Sequence, residues 1–268
     1  MPSNLRIMTF NVRGALYNDG ENHWKRRGSL NVLTILHQNP DLIGFQEVHP
    51  GNLDVYQEQL QGYAYFQGPP YNDSDPFQYP TIFWNAERLR LVDQGGFWLS
   101  DTPDRQSGSW ETACVRSAAW VRLEWVETGI TFVHMNTHLD HVSKAARILG
   151  TRLIIYRLEA LARLETPALV TGDFNCMPGT VPYREFVAAG FLDAYLVNRP
   201  HPRAWTFHNF KGQEFKPEKK QNNRMDWILA RSWPAGYHIE RCTIVREAEP
   251  PLYPSDHYPV VADICYTN

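Results

Sequence analysis

Residues 169–178 read LVTGDFNCMP, a stretch that begins like a buried β-strand and ends in polar side chains. Leu169 and Val170 open it, and Asp173 and Asn175 stand where a short strand would end. Because successive side chains of a strand point to opposite faces, residues two apart share a face. Asp173 and Asn175 should therefore point the same way, and Gly172 beside them lets another backbone approach closely.

The size and charge of the chain limit what it can be. Its 268 residues permit one large or two small domains, and we predict a single domain over residues 1–268. Hydrophobic residues make up 43%, which is enough for a sizeable core. The formal net charge of −3 argues against a generally basic surface that would grip duplex DNA through its phosphates.

The cysteines and the N-terminal residues bear on the cellular setting. The four cysteines are widely spaced and form no CxxC pair, which favours reduced thiols over a zinc ribbon or a disulfide scaffold. The first residues, MPSNLRIMTF, lack a charged segment followed by a long apolar run, so no signal peptide is predicted. No apolar run is long enough to span a membrane. We therefore expect a cytoplasmic protein with no membrane span, and no obligate protein partner is indicated.

Hydrophobic periodicity predicts more strands than helices. Short apolar or alternating runs predict strands at residues 5–12, 41–48, 79–84, 88–99, 115–126, 131–139, 168–172, 225–230, 237–245 and 257–265. Helices are predicted at residues 26–38, 53–61, 143–165 and 183–189. In the longest helix Ser143 is the expected cap, and the expected apolar face consists of Ala146, Leu149, Leu153, Tyr156, Ala160 and Leu164.

The order of these elements indicates the fold class. Strands come in runs, with helices between only some of them. An α/β architecture of two sheets packed face to face, with helices outside, fits this order better than a doubly wound parallel sheet.

Polar side chains of four types, Asn, Glu, Asp and His, lie at the ends of six predicted strands. They are Asn11, Glu47, His138 with Asp140, Asp173 with Asn175, Asp226, and Asp256 with His257. Each alone is as compatible with a turn as with a site. Strand ends of one sandwich can meet at one rim, however, and functional groups concentrate on such loops. We therefore predict that the set forms one site.

The motifs around these residues resemble a known superfamily. The order TFN, QE, NTHLD, GDFN, RMD, SDH, from Asn11 to His257, resembles the endonuclease/exonuclease/phosphatase superfamily, whose fold is DNase I-like. The runs GDFNCMPGTVPY, NTHLDHVSKAAR and TFHNF are similar to its bacterial nocturnin- and deadenylase-like branch. The resemblance implies a four-layer α/β sandwich built on two mixed β-sheets. It also implies a hydrolase, a nuclease or phosphatase, that cleaves phosphoesters with Mg²⁺ or Mn²⁺.

The resemblance also implies roles for the strand-end residues. Glu47 would hold the metal, Asn11 would lie beside it and contact a metal-bound water or the phosphate, and Asp256 would lie nearer the metal than Asp226 does. His257 would face the phosphate, with Asp226 orienting its second nitrogen, as imidazoles in sites commonly require. His138 would be the second histidine of the family and would donate to the phosphate.

Asp173 and Asn175 have roles that the chemistry itself suggests. Phosphoester hydrolysis needs a positioned water and neutralised charge on the phosphoryl oxygens. Asp173 could orient and deprotonate the water, while Asn175 could donate an N–H where an acidic side chain would repel the phosphate. Asp140 would orient a neighbour or cap the loop before Ser143.

Candidate substrate contacts come from two arginines and one aromatic loop. Arg116 and Arg224 flank site-directed strands and could bind phosphate or be surface cations. Residues 205–222 carry Trp205, Phe207 and His208, which could stack a base or cover the core. Tyr71 and Phe77 in another loop suit the same two uses. We expect a small phosphorylated compound or a single-stranded nucleic acid end as substrate.

Two alternatives remain in view. One is a catalytically inactive phosphate-binding module, although the residue types that such proteins usually lose are present at Glu47, Asp173 and His257. The other is a lipid phosphodiesterase of the sphingomyelinase type, which would need a hydrophobic or basic insertion that the sequence does not display.

Overall fold

The computed structural model describes residues 3–72, 77–162, 165–197, 204–217 and 223–267. The strands in this part of the chain are β1 Ser3–Asn11, β2 Leu42–Val48, β3 Tyr63–Phe66, β4 Tyr79–Asn85, β5 Leu89–Trp98, β6 Ser117–Trp125, β7 Ile130–His138, β8 Ala168–Asp173, β9 Leu192–Asp193, β10 Asp226–Arg231, β11 Tyr237–Ile244 and β12 Val260–Tyr266. The α-helices are α1 Trp24–Gln38, α2 Pro50–Gln59, α3 Lys144–Leu161 and α4 Val181–Ala188. The short strands β3 and β9 were not predicted from the sequence.

The strands form two mixed sheets. One has the order β11-β12-β1-β2-β4-β3, and the other has the order β5-β6-β7-β8-β10-β9. The pairs β1–β2 and β7–β8 are parallel, and the other neighbouring pairs are antiparallel. The prediction of two mixed sheets packed face to face is confirmed.

Alternation along the strands divides the core into layers. On β1, Leu5 and Ile7 join an apolar cluster that contains residues of both sheets, so they point between the sheets. Met8 and Phe10 point the other way and join a cluster with side chains of α1 and α2. The second sheet has a matching outer cluster with α3 and α4. The result is the predicted four-layer sandwich, helix–sheet–sheet–helix.

Helix α3 begins as predicted, but it buries a different face. The Ser143 side chain caps it by accepting a hydrogen bond from the Ala146 backbone N–H at 3.1 Å. The buried positions are Ala146, Gly150, Thr151, Ile154 and Leu158. The predicted stripe is wrong at Tyr156, which is 67% exposed. This helix carries apolar residues around much of its circumference, so spacing alone did not select the buried face; Leu164 lies outside the described residues.

The space between the sheets becomes polar midway along the strands. Gln46 donates to Asn136 Oδ1 at 2.7 Å, Thr171 donates to the same oxygen at 3.1 Å, and His134 Nε2 lies 2.7 Å from Thr171 Oγ1. All four side chains are fully buried. Gly44 makes room for them, because a Cβ there would lie 2.2 Å from Thr171 Oγ1. We call Gln46, His134, Asn136 and Thr171 the polar layer.

No helix among the described residues is long and apolar enough to cross a membrane.

Candidate active site

Beyond the polar layer, the inner faces of both sheets end in the predicted site residues. Asn11 ends β1 and Asp173 ends β8, one from each sheet. The Asn11 amide donates to Glu47 Oε1 at 2.9 Å and to Asp173 Oδ2 at 3.0 Å. Asn11 therefore joins two carboxylates that belong to different sheets, and it is itself fully buried.

Glu47 has an unusual backbone conformation at the end of β2. Its φ is +63°, in the left-handed region that non-glycine residues rarely adopt. Its N–H donates to the Tyr71 hydroxyl, and its Oε2 is buried without a hydrogen-bond partner. A carboxylate oxygen left unsatisfied in this way fits a hard divalent cation such as Mg²⁺ or Mn²⁺.

Asp226 and His257 form a buried pair beside Asp173. His257 Nδ1 lies 2.9 Å from Asp226 Oδ2, and His257 Nε2 lies 3.7 Å from Asp173 Oδ2. Burial alone would lower the pKa of His257, but the two carboxylates raise it overall, so the imidazolium is favoured. Burial raises the pKa of Asp173. The nearby Asp226 carboxylate adds to this increase, and the positive charge of His257 acts against it. The pair supplies the orienting carboxylate that the sequence predicted for His257.

His138 and Asn175 contact each other in this structure. The Asn175 amide nitrogen lies 2.9 Å from both the Leu139 carbonyl oxygen and His138 Nε2, so its two hydrogens are used there. Burial, together with the charges of Arg116 and His257, lowers the pKa of His138 well below its usual value, so this ring is neutral. In this arrangement Asn175 does not have a free N–H for the phosphate, and the His138 Nε2 accepts rather than donates.

Asp173 is held in place by two hydrogen bonds. Its Oδ1 accepts the Asn175 backbone N–H at 2.9 Å, and its Oδ2 accepts from the Asn11 side chain at 3.0 Å. Gly172 next to it allows the close packing that the sequence suggested, since a Cβ there would lie 2.4 Å from the Thr137 carbonyl oxygen. The carboxylate is therefore fixed at the edge of the inner face.

Asp256 brings in a cation that sequence reasoning missed. Its Oδ2 lies 3.9 Å from Arg13 Nε, and Arg13 also makes a close ion pair with Asp19 at 2.9 Å. The Arg13 guanidinium lies over the Tyr17 ring, 3.9 Å from its centroid. Arg13 lies two residues after the end of β1 with a φ of +52°, a conformation that its residue type does not predict.

These groups open into one cavity of about 380 Å³. Eight of the predicted residues line it, namely Glu47, Arg116, His138, Asp173, Asn175, Phe207, Asp256 and His257. Arg13, Tyr17, Asn72, Gln78, Cys114, His141 and Met225 complete the lining. Asn11 and Asp226 contact lining residues from behind.

Three predicted substrate contacts lie elsewhere and are corrected. Arg224 is fully buried in a two-point ion pair with Asp193, at 2.6 and 3.2 Å, so its charge is used inside the fold. The Trp205 ring packs under the Arg246 guanidinium at 4.4 Å and does not line the cavity. His208 is fully buried and stacks on Tyr258 with ring centroids 4.0 Å apart.

The structure also gives the positions of two other predicted aromatic contacts and of Asp140. Phe207 does face the cavity, with its ring 5.0 Å from the His257 ring. Tyr71 is fully buried, so it cannot stack on a base. Asp140 caps its loop, since Oδ1 accepts the Val142 and Ser143 N–H groups and Oδ2 accepts from Thr112 and Ala113. Residues 218–222 of the predicted aromatic loop lie outside the described residues.

Comparisons with known proteins agree with this fold. The sequence profile of the Endonuclease/Exonuclease/phosphatase family matches residues 8–257. A family protein from Bacteroides thetaiotaomicron is 27% identical, with a TM-score of 0.87 over 100% of this chain and 99% of that chain. A mannosyl-6-phosphatase from the same organism is 28% identical, with a TM-score of 0.87 over 97% and 99%.

A more distant structure shares the fold alone. The human nocturnin catalytic domain with bound sulfate is 22% identical, with a TM-score of 0.77 over 98% of this chain and 94% of that chain. The search of curated proteins gave no significant match.

Proposed function

The chain belongs to the endonuclease/exonuclease/phosphatase family, and from this premise we propose that it is a Mg²⁺- or Mn²⁺-dependent phosphoesterase. Its substrate would be a phosphomonoester or phosphodiester of a small, nucleotide-like compound or of a single-stranded nucleic acid end. One observation carries the proposal: the buried Asp226–His257 pair stands beside Asp173 in the same cavity as the unsatisfied Glu47 Oε2.

The metal would be held mainly by Glu47, with Asp256 and Asn11 nearby. These side chains offer hard oxygen ligands, and Mg²⁺ needs only one or two carboxylates because it retains water. When bound, such an ion neutralises charge on the phosphoryl oxygens. Asp173, Asp226 and His257 also lie close enough together to hold an ion. The Asp226 bond to His257 Nδ1 instead favours acid–base and phosphate-binding roles for that trio.

Proton handling would fall to Asp173 and His257. Asp173, which is fixed by Asn11 and Asn175, would orient a water and accept its proton. His257, kept protonated by Asp226, would donate from Nε2 to a phosphoryl oxygen and stabilise charge as it builds up. The Asn175 backbone N–H would hold the geometry of Asp173, and neutral His138 would anchor the Asn175 side chain.

The cavity supports a compact substrate. At about 380 Å³ it lies in the size range of small-molecule sites. Most of the residues that line it are polar or charged, with Phe207 and Met225 as apolar members. A second candidate, hydrolysis of a sugar phosphate, is favoured by the similarity to the mannosyl-6-phosphatase across nearly the whole of both chains.

A screen of substrates and metals would test the proposal. Purified protein would be assayed with Mg²⁺, Mn²⁺ or EDTA on aryl phosphomonoesters, mannose 6-phosphate, dinucleotides, single-stranded oligonucleotides, plasmid duplex and choline phospholipids. We expect chelator-sensitive turnover of at least one small or single-stranded substrate. Efficient duplex nicking with no turnover of these compounds would overturn the substrate assignment, and choline release alone would favour the lipid phosphodiesterase.

Metal binding would be measured separately from turnover. Mn²⁺ affinity by calorimetry should fall ~10–100-fold or more in Glu47→Gln, the scale seen when groups of a metal site are altered. Glu185→Gln is the matched control, because Glu185 lies on α4 in a surface pair with Arg152. Unchanged Mn²⁺ affinity in Glu47→Gln would remove Glu47 from the metal site. A wild-type protein that binds phosphate but turns over nothing would be the inactive binding module.

A further inference from the structure

Arg116 is the cavity cation that no carboxylate balances. It directly precedes β6, is 6% exposed and lines the cavity. Among the residues that the structure describes, no carboxylate lies within ion-pair distance of its guanidinium, and its Nε has no hydrogen-bond partner. A buried charge without a partner is costly, so such a charge in a cavity indicates that an anion binds there.

Arg13, the other cavity arginine, shows the contrast. Its guanidinium makes a two-point contact with Asp19 at 2.9–3.2 Å and lies 3.9 Å from Asp256. Its charge is therefore largely compensated within the protein. Arg116 instead faces Tyr71, with its guanidinium carbon 5.4 Å from the ring centroid, and its Nη2 lies 3.4 Å from His141 Nδ1.

The position of Arg116 is fixed before any substrate arrives. Its backbone carbonyl accepts the Leu99 N–H at 2.7 Å, which anchors the start of β6. The Tyr71 ring beneath the guanidinium is itself fully buried, and its hydroxyl accepts the Glu47 N–H. Tyr71 thus supports both the predicted metal ligand and the unbalanced cation. A preorganised guanidinium binds an oxyanion without first losing side-chain entropy.

The charges in the cavity indicate which anion this cation would select. Glu47, Asp173, Asp226 and Asp256 are acidic, and they take up the three positive charges of a divalent cation and the His257 imidazolium. A phosphodiester brings one negative charge, whereas a terminal phosphate brings close to two near pH 7. Arg116 supplies a cation for the additional charge, through charge-assisted hydrogen bonds that favour phosphate oxygens.

We infer that Arg116 binds the extra anionic oxygen of a terminal phosphate and makes this site selective for phosphomonoesters over phosphodiesters. The inference rests on the proposed phosphoesterase function and narrows its substrate class. It assigns to Arg116 the discrimination between the two ester types, while Asp173 and His257 serve both.

Matched aryl esters test this selectivity. p-Nitrophenyl phosphate and methyl p-nitrophenyl phosphate differ by one methyl group and one charge. In Arg116→Gln we expect kcat/KM for the monoester to fall ~10–100-fold, the loss of one charged hydrogen bond. For the diester we expect a fall below about threefold. Arg116→Lys, which keeps the charge, should retain part of the preference.

Arg90→Gln serves as the control, because Arg90 is exposed and pairs with Glu124 on the surface. Binding of inorganic phosphate, measured by calorimetry, should weaken in Arg116→Gln and stay unchanged in the control. Equal losses on both esters, or no loss on either, would overturn the inference. If Arg116→Gln does not fold, an ester preference in Arg116→Lys identical to wild type would overturn it instead. A wild-type protein that cleaves neither these esters nor any other phosphoester of the screen, with either metal, would contradict the proposed function itself.

Discussion

Arg224 and Asp226 are two positions apart in the chain and both are buried, yet their surroundings differ. Arg224 meets Asp193 at two points, and Asp193 also accepts from the Tyr183 hydroxyl at 3.0 Å and the Tyr195 N–H at 3.0 Å. Both Asp193 oxygens are thereby satisfied. Asp226 uses one oxygen for His257, while its Oδ1 has no hydrogen-bond partner.

The comparison shows how buried charge that holds a fold differs from buried charge that does chemistry. The Arg224–Asp193 pair is closed, because each group is matched inside the protein. The cavity cluster is open, because the Glu47 Oε2, the Asp226 Oδ1 and the Arg116 Nε have no partners. Other unpartnered atoms occur elsewhere among the described residues, such as the Trp125 indole nitrogen in the core, but these three belong to charged groups at one cavity, where a ligand would complete their bonding.

The largest expected effect is on turnover at the open cluster. Asp173→Asn removes the base while keeping the size of the side chain, and His257→Ala removes the imidazole that faces the phosphate. Each should reduce kcat by ~10²–10⁴-fold, the range for a positioned acid–base group. In Asp173→Asn the free energy of unfolding should be unchanged or higher, because a buried charge is removed. In His257→Ala it should fall, because the buried Asp226 carboxylate loses its partner. Steady-state kinetics and urea denaturation would measure the two quantities.

Asp104→Asn is the control for this prediction, since Asp104 lies on the surface. The losses in the double variant should be less than multiplicative, because the two residues act on one transition state. Near wild-type turnover in either single variant would remove that residue from the mechanism.

The closed pair should show the opposite response. Asp193→Asn or Arg224→Met leaves a buried charge without its partner, which should lower the free energy of unfolding by about 3–5 kcal/mol. The kinetic constants of the folded fraction should stay close to wild type. Replacing both residues with apolar ones should cost less than the sum of the single changes. A loss below about 1 kcal/mol, the range of the exposed Arg90–Glu124 pair, would make Arg224–Asp193 no different from a surface pair.

The smallest expected effect lies in the polar layer, between these two extremes. Burial lowers the pKa of His134 to about 3, against an ordinary value near 6.5. Because the folded state resists protonation, the stabilising contribution is present above pH 6.5 and is lost as the pH falls towards 3. At pH 5 this loss should reach about 2 kcal/mol relative to pH 7.

His134→Gln isolates that contribution from the other histidines. Between pH 7 and pH 5 the free energy of unfolding should fall in both proteins. The fall should be about 2 kcal/mol smaller in His134→Gln than in wild type. Urea denaturation at the two pH values would measure this difference. His37→Gln is the control, because His37 is exposed. The same pH dependence in His134→Gln and wild type would show that His134 is not held neutral by the fold.

Most residues of the open cluster could be singled out from the sequence for a local reason. Chemistry needs particular residue types at strand ends, and alternation then determines which face they occupy. Asn11, Asp173 and Asp226 all lie on the inner faces that this rule assigns. The element order likewise indicated the two sheets, because connections between strands constrain layering.

The Arg224–Asp193 pair and the packing of the aromatic loop could not be predicted from the sequence in this way. Asp193 lies 31 positions before Arg224, so nothing local distinguishes that arginine from Arg116. Trp205 and His208 share the composition of a stacking loop, but they pack against Arg246 and Tyr258. Long-range partners decide whether such side chains are buried, and spacing does not reveal those partners.

The polar layer also helps to fix the register of the strands that carry the site. Sliding β8 by one residue past β7 would take Thr171 away from Asn136 and place an outward-facing neighbour between the sheets. The stranded polar atoms would cost about 1–3 kcal/mol each. The same slip would move Asp173 out of reach of Asn11 and His257. A misaligned strand therefore loses stability at the polar layer in the middle of the sandwich, although the functional damage would occur at the active site.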